Sequence, residues 1–362
     1  VICVRVIITA GGTGGHIYPA LAIANKIKEK EPNSEILYIG THNRMEKEIV
    51  PKYGYHFEAI EIYGFSKKDI LRDIKDIFLI IKAKQRCINL MKEFKPDVVV
   101  GVGGYVTFPV ISAAKKLGIK TFIHEQNSIP GKSNKVLASK VDAIGVSFKD
   151  SIKYFPQEKC TLTGNPCSEN ALEEAPISKT KYGLYLEKKS VLMVQGSLGS
   201  SVLNQKMMDY LDSIDNENYE VLYITGKEYY DDFSANAFSK NVKIVPYVDN
   251  LSALLKDIDV VVTRAGASIT SELMALGKPS IFIPSPYVAN NHQYYNALSI
   301  QNAHAGIMIE EKDLTSALLK DKINYLLNNK DARKKIKDNL QKMCIKNSST
   351  IIYNILKDLP KE

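Results

Sequence analysis

Three glycine-rich stretches stand beside side chains able to handle phosphate, sugar hydroxyls or protons. In Thr9-Ala10-Gly11-Gly12-Thr13-Gly14-Gly15-His16, the glycines follow an apolar run and precede a helical pattern. Glycine tolerates positive φ and lets backbone N–H groups come close to a ligand. A helix beginning there adds a partial positive charge that favours phosphate. His16 sits at the mouth of that turn, where an imidazole titrating near neutrality could take a proton from a sugar hydroxyl. In Gln195-Gly196-Ser197-Leu198-Gly199-Ser200, N–H groups and the Ser197 hydroxyl could hold a diphosphate leaving group without a metal. In Arg264-Ala265-Gly266-Ala267-Ser268-Ile269-Thr270-Ser271-Glu272, the carboxylate falls one turn into a helix and could accept from both hydroxyls of a ribose. Asn290-Asn291-His292-Gln293-Tyr294-Tyr295-Asn296-Ala297 is dense in amides, as recognition of sugar hydroxyls requires.

Each stretch also has a plainer reading. A Gly-rich turn is a common way to join a strand to a helix, and a random histidine is more often structural than catalytic. Position beside a phosphate-type turn reverses that expectation for His16. A dinucleotide fold is disfavoured: residues 12–15 break the GxGxxG spacing, and Gly40-Thr41-His42 stands where an acidic residue would hold an adenosine ribose. Asp257-Ile258-Asp259 superficially resembles a manganese-binding DxD, but it lies between a helix end and a strand start and reads as capping and solvation. The five cysteines (Cys3, Cys87, Cys160, Cys167, Cys344) are scattered without CxxC spacing, which argues against a zinc site or a disulfide framework and for a reducing compartment. No tightly bound metal and no cofactor are expected.

The elements that must carry these turns read as β–α repeats. Val4–Thr9, Glu35–Gly40, Asp97–Gly101 and Lys120–His124 are strand-like, with helical spacing at Pro19–Lys30 and Val110–Lys116. The pattern restarts with strands at Ser190–Val194, Tyr219–Thr225, Val242–Pro246 and Asp259–Thr263. The segments Val98–Ile123 and Val260–Ile283 match in plan: Val-rich strand, Gly-containing turn, helix, Leu-Gly stop, new strand. This predicts an α/β protein of two similar nucleotide-fold domains with parallel sheets. The expected division is 1–163, 164–340 and a C-terminal helical segment, 341–362, crossing back to the first domain.

At 362 residues two domains are the natural arrangement. The net charge of +8 is uneven: residues 1–163 hold 25 Lys and Arg against 16 Asp and Glu, and the rest 23 against 24. An anionic membrane, an anionic lipid or nucleic acid could answer that excess, but no recognition helix or aromatic-basic strand motif supports nucleic acid. Val1–Thr9 is apolar yet runs into Gly11-Gly12 without a basic leader or cleavage site, and no stretch approaches a membrane span. A cytoplasmic protein with peripheral membrane contact is expected. Ile70, Leu71, Ile74, Ile77, Phe78 and Ile81 form one helical stripe, with Lys67, Lys68, Arg72, Lys75, Lys82, Lys84 and Arg86 around it. Such a stripe suits a domain core in a generic α/β domain, but the basic excess confined to this half favours an anionic bilayer surface. Lys67, Lys68, Ile70, Leu71, Arg72, Ile74, Lys75 and Phe78 are expected to meet the membrane.

Seven stretches in order resemble the MurG-type bacterial transferases nearly end to end. They are Gly11–His16, Gly103-Gly104-Tyr105-Val106, His124-Glu125-Gln126-Asn127, Gly164-Asn165-Pro166, the Gly-Ser-x-Gly at 196–199, Arg-x-Gly-Ala at 264–267 with Glu272, and His292-Gln293 with Asn296. The resemblance implies a GT-B fold, with two Rossmann-like domains facing across a cleft. It implies inverting transfer of GlcNAc from UDP-GlcNAc to the 4-hydroxyl of undecaprenyl-diphospho-MurNAc-pentapeptide, with His16 as base. That is the last cytoplasmic step of peptidoglycan precursor synthesis, at the cytoplasmic face of the cell membrane. For the donor it implies Glu272 at the ribose, backbone near Tyr247 and Val248 at uracil, and Gly196 and Ser197 at a phosphate. Asn127, Gln293 and Asn296 would meet GlcNAc, and Arg264, Gly266, Ala267, Ser268, Ile269, Thr270 and Ser271 would complete the donor site. Thr13, Gly14 and Gly15 are counted with the donor, although their turn also meets the acceptor diphosphate. Gly12, Gly103, Gly104, Tyr105 and Glu125 are assigned to the acceptor.

Two departures from the family pattern fall at the donor phosphate. Cys167 and Ser168 occupy positions where the family usually has an arginine, and Gln195-Gly196-Ser197-Leu198-Gly199-Ser200 replaces Gly-Gly-Ser-Gln-Gly-Ala. Backbone dipoles would then carry more of the neutralisation, with Arg264 a candidate contributor. Alternatives of the same architecture are a UDP-sugar:diacylglycerol transferase and a UDP-GlcNAc 2-epimerase. A non-catalytic recruiting subunit of a split transferase would carry one domain, whereas two are read here.

Overall fold

The computed structural model describes residues 4–63, 70–195 and 201–359, with residues 70–77 described by their backbone alone. The chain forms two compact units, Val1–Cys167 with Asn347–Glu362, and Ser168–Lys346. The divisions fall slightly later than 163 and 340. The first lies inside the short helix Pro166–Glu173, whose start is tied down by Asn165 Oδ1 accepting from the Cys167 N–H at 3.0 Å.

The first unit holds β1 (Arg5–Thr9), β2 (Glu35–Thr41), β3 (His56–Ile60), β4 (Val98–Gly101), β5 (Lys120–Glu125), β6 (Ala143–Val146) and β7 (Cys160–Leu162). All pair in parallel in the order β3-β2-β1-β4-β5-β6-β7. β-Branched runs such as Val98-Val99-Val100 are buried throughout, as a strand covered on both faces requires. The helices α1 (Gly14–Lys30), α2 (Glu46–Lys52), α3 (Ile70–Phe94) and α4 (Thr107–Lys116) make the crossovers.

The second unit repeats the plan with β8 (Lys189–Val194), β9 (Tyr219–Ile224), β10 (Val242–Val245), β11 (Val260–Thr263), β12 (Ser280–Phe282) and β13 (Ile307–Met308), ordered β10-β9-β8-β11-β12-β13. In both sheets the strand order reverses beside the first strand, between β1 and β4 and between β8 and β11. Ligands of open α/β sheets bind at such switch points, beyond the carboxyl ends of the strands. The matched segments β4-α4-β5 and β11-helix-β12 occupy equivalent places. Both helices stop at glycines in the left-handed region, Gly118 (φ 71°) and Gly277 (φ 62°).

The helical C-terminus is two elements. Lys330–Met343 packs on Ala267–Leu276 of the second unit. The chain then extends at Cys344, and Ser348–Asp358 packs on α1 of the first unit, burying Ile352, Tyr353, Leu356 and, just beyond it, Leu359.

Candidate functional site

In the first unit the switch point is built from two glycine turns pressed together. Gly11 N–H donates to Gly103 O at 3.3 Å, and the turn after β4 carries Gly103 at φ 113° and Gly104 at φ 85°. Gly104 lies against the Gly11 carbonyl, where a side chain would have no room. A Cβ on Gly103 would stand 2.6 Å from His16 Cδ2, so position 103 must be glycine for its backbone and for the imidazole alike. Thr107 closes the turn: its hydroxyl accepts from Gly103 N–H at 3.2 Å and donates to Gly103 O at 2.9 Å. Tyr105, half-buried, packs against the core below.

His16 enters this site from the first turn of α1, with Nδ1 3.1 Å from Gly11 O and 3.3 Å from Thr13 Oγ1. A carbonyl oxygen can only accept, so Nδ1 carries the proton and Nε2 is the basic nitrogen. Thr13 is the N-cap of α1 without a side-chain cap bond, and Gly14 and Gly15 open the helix, so their N–H groups belong to its unpaired first turn.

Gly12 is different. Its N–H donates at 3.2 Å to Glu46 Oε2, a residue that sequence reasoning passed over. Glu46 is fully buried, and its other oxygen accepts from Thr41 N–H at 3.0 Å and Thr41 Oγ1 at 2.6 Å. The amide of Gly12, a residue assigned to the acceptor, is therefore held by a carboxylate. The signal that could have found it is the first of two glutamates, Glu46 and Glu48, opening the helix after β2, the strand beside β1.

Glu125 also departs from its expected part. It is buried, with Oε1 accepting from Asn127 N–H (3.0 Å) and Asn127 Nδ2 (3.2 Å), and Oε2 from Gly131 N–H (3.0 Å) and Asn134 Nδ2 (2.9 Å). With its lone pairs taken, it shapes the loop after β5 and presents half-buried Asn127 rather than touching an acceptor itself. His124 is a structural histidine: Nε2 faces Gly164 O at 2.9 Å, Gln126 Nε2 donates to Nδ1 at 3.0 Å, and burial pushes its pKa down to about 4.

In the second unit, Gly266 is the N-cap of the helix Ala267–Leu276, with no side chain capping it. Ser268 and Ile269 are partly exposed, while Ala267, Thr270 and Ser271 are buried. Ser271 Oγ donates to Ser268 O at 2.6 Å. Glu272 is half-buried beside Ser252, and removal from water pushes its carboxyl up to about 7 against the opposing hydrogen bond of Ser252. Val248 is buried and Tyr247 is exposed under the Lys227 ammonium, 5.5 Å from the ring centre.

Two expected donor contacts, Arg264 and Asn296, and the oxygen of a third, Gln293, already have partners in the fold. Arg264 is buried, its Nη1 2.6 Å from Glu311 Oε2 and 3.1 Å from Ile283 O, so its charge is compensated before any phosphate arrives. Asn296 is fully buried and donates to Ala265 O at 3.1 Å, which holds the turn after β11. Gln293 Oε1 accepts from Ser285 N–H at 2.9 Å, leaving its amide nitrogen as the group able to meet a hydroxyl. Cys167 and Ser168 are buried, with Ser168 Oγ donating to Ile345 O at 3.1 Å. Gly196 and Ser197 lie outside the described residues, as do Lys67 and Lys68, and the side chains of Ile70, Leu71, Arg72, Ile74 and Lys75. Phe78 and Ile81 are 67% and 61% exposed, whereas Leu79, Ala83 and Cys87 of the same helix are buried.

Asp257 and Asp259 serve backbone. Asp257 Oδ2 accepts from Lys179 N–H at 2.9 Å, and Asp259 Oδ2 from Ser190 N–H at 2.8 Å and Oγ at 3.1 Å. Among the described residues no group of three or more acidic, His or Cys side chains could hold a metal, and no helix is long and apolar enough to cross a membrane.

Comparison with known proteins gives this geometry a family. Residues 6–146 match the glycosyltransferase family 28 N-terminal domain and residues 190–350 the glycosyltransferase family 28 C-terminal domain. The UDP-N-acetylglucosamine--N-acetylmuramyl-(pentapeptide) pyrophosphoryl-undecaprenol N-acetylglucosamine transferase of Bacillus cytotoxicus is 43% identical over 99% of this chain and 100% of its own. The enzyme of that name numbered 1 in Bacillus cereus is 42% identical over the same shares. MurG of Acinetobacter baumannii superposes with TM-score 0.78 at 23% identity, over 98% of this chain and 99% of that one. UDP-GlcNAc 2-epimerase from Neisseria meningitidis, bound to UDP-GlcNAc, superposes with TM-score 0.68 at 16% identity, over 98% and 100%. The two structural likenesses show a shared fold and do not separate transferase from epimerase; the full-length identity does. The chain belongs to the family of these N-acetylglucosamine transferases, assembled from the two family 28 domains.

Proposed function

We propose that this chain transfers GlcNAc from UDP-GlcNAc to the 4-hydroxyl of undecaprenyl-diphospho-MurNAc-pentapeptide, inverting the anomeric carbon. The observation that carries the mechanism is the His16 imidazole, fixed through Nδ1 on Gly11 O at the switch point of the first sheet. Its Nε2 takes the proton of the 4-hydroxyl as that oxygen bonds to C1 of GlcNAc and the bond from C1 to the UDP oxygen breaks. The first-turn N–H groups of Thr13, Gly14 and Gly15 offer the acceptor diphosphate a partial positive charge. On the second unit, Glu272 accepts from the ribose hydroxyls, and the uncapped start of the helix Ala267–Leu276 offers N–H groups to the leaving diphosphate. Gln293 and Asn127 supply amide groups for GlcNAc.

The acceptor is a lipid, so the protein works at the cytoplasmic face of the membrane, and the outward Phe78 and Ile81 with the neighbouring cations support peripheral docking there. The test is incubation with radiolabelled UDP-GlcNAc and a short-chain lipid-linked muramyl-peptide. Labelled disaccharide lipid is expected, with no label in diacylglycerol and no free ManNAc. Label in diacylglycerol, or free ManNAc without lipid product, would replace this reading by the corresponding alternative.

A further inference from the structure

The buried carboxylate behind the first glycine turn is connected to the base through a single peptide group. Glu46 Oε2 accepts from the Gly12 N–H at 3.2 Å, and the carbonyl of that same peptide unit, Gly11 O, faces His16 Nδ1 at 3.1 Å. We infer that Glu46 is a positioning residue for His16, acting through the Gly11–Gly12 peptide as an aspartate acts directly on histidine in a catalytic triad. The inference rests on the assignment of His16 as the base.

The physical reason is polarisation along a hydrogen-bonded chain. A carboxylate on the N–H side of a peptide pushes electron density onto its carbonyl oxygen, which becomes a stronger acceptor for the imidazole N–H. That fixes the tautomer with Nε2 basic and stabilises the imidazolium formed when the acceptor hydroxyl gives up its proton. The rest of the local structure is built to keep the chain intact. All three groups meeting Glu46 are donors: Gly12 N–H, Thr41 N–H and Thr41 Oγ1. A side chain at Gly11 would collide with the Glu46 carboxylate, and a Cβ at Gly40 would come within 2.8 Å of Glu46 Cγ. Gly12 itself holds φ 91°, in the region that favours glycine. The titratable neighbour that feels Glu46 is Tyr38; its hydroxyl donates to Ala10 O at 3.1 Å, and burial first, then the Glu46 charge, hold it neutral far above the working range. His16 is faced by Thr13 Oγ1 and by the Gly11 and Gly103 backbone.

The experiment is the pH dependence of kcat/KM for wild type, Glu46→Gln, Thr41→Val and His16→Ala, with a nitrogen-15 histidine spectrum of the wild-type protein. Glu46→Gln keeps the shape and removes the charge. Its acid limb is expected about one unit lower, the low end of the effect of one nearby charge, with kcat reduced about tenfold. Thr41→Val removes a bond to the other carboxylate oxygen but leaves the charge and the Gly12 contact, so its limb should stay with wild type. A purely structural role would lower activity in both variants without moving either limb, and that result would overturn the inference. The wild-type spectrum tests it even if Glu46→Gln does not fold: His16 as the Nδ1–H tautomer supports the relay, and as the Nε2–H tautomer overturns it. If His16→Ala retains wild-type activity, the base assignment itself fails; an inactive His16→Ala with an unmoved Glu46→Gln limb sinks the relay alone.

Discussion

His16 and Glu272 carry the two sharpest expectations at the residue scale. With Nε2 as general base, His16→Ala should lower kcat by about 100-fold or more, with a smaller effect on UDP binding; an activity loss under about threefold would remove it from the mechanism. Glu272 titrates at about 7 because its carboxyl is withdrawn from water. Below that pH it is protonated and a poorer acceptor for ribose hydroxyls. UDP-GlcNAc, whose own diphosphate does not titrate there, should bind up to about tenfold more weakly at pH 6 than at pH 8. In calorimetry Glu272→Gln should flatten that dependence, and an unchanged slope would take Glu272 off the ribose. The linkage to stability has the opposite sense. A carboxyl raised in the folded state stabilises fully at pH values below its unfolded pKa, and that contribution is lost as pH rises through about 7. Glu272→Gln should therefore melt above wild type at pH 8 and show no such gain at pH 4. A residue that costs stability at working pH is one that a binding site, rather than a core, would keep.

Among the elements, α3 is where sequence and structure ask different things of one helix. Its later turns bury Leu79, Ala83, Cys87 and Met91 and turn Phe78 and Ile81 outward, so at these two positions the apolar stripe is not part of the core. Exposed Phe and Ile on a basic helix of a basic domain suit an anionic leaflet, where each nearby cation adds about 1 kcal/mol. The protein should co-sediment with anionic vesicles and not neutral ones, and raised salt should release it. Charge reversal at Lys67, Lys68, Arg72 and Lys75 should abolish sedimentation yet leave turnover of a water-soluble acceptor analogue largely intact. Equal sedimentation of variant and wild type would leave Phe78 and Ile81 as isolated surface residues. The donor-side helix Ala267–Leu276 illustrates the converse. Its start is uncapped, while the nearby Arg264 is neutralised by Glu311, so N–H dipoles rather than a side-chain cation are what this turn offers an anion.

For the whole molecule, the first unit is completed by the end of the chain. Ser348–Asp358 packs on α1, the helix that begins with the glycine turn and His16, and Tyr353 Oη donates to Glu31 Oε1 at 2.7 Å at the far end of that helix. Ile352 is fully buried in this contact. Ile352→Ala should cost about 2–5 kcal/mol, the range for a large-to-small change in a packed core. Denaturant unfolding with probes in each unit should show the loss in the first unit's transition, and a loss confined to the second would contradict the packing.

Much of this architecture was legible from local pattern. Buried β-branched runs at Val98–Val100 and Val260–Val262, glycine turns at their ends and Leu-Gly helix stops fix parallel β–α units wherever they occur, because the requirements are local. The edge strands Cys160–Leu162 and Ile307–Met308 were not legible; they are short and partly exposed, and pairing alone makes them strands. Residue types announced chemistry at His16, Glu272 and the amide-rich segment 290–297, and those types are properties of the chain. Which groups remain available is a property of the fold. The separation of Glu46 from Gly12, of Arg264 from Glu311, and of Asn296 from Ala265 is closed only when strands distant in sequence become neighbours. Once dehydrated, a polar group must be paired. Tertiary structure thus decided that Arg264, Asn296 and Glu125 meet partners within the fold, and that a carboxylate absent from every motif stands behind the glycine turn that holds His16.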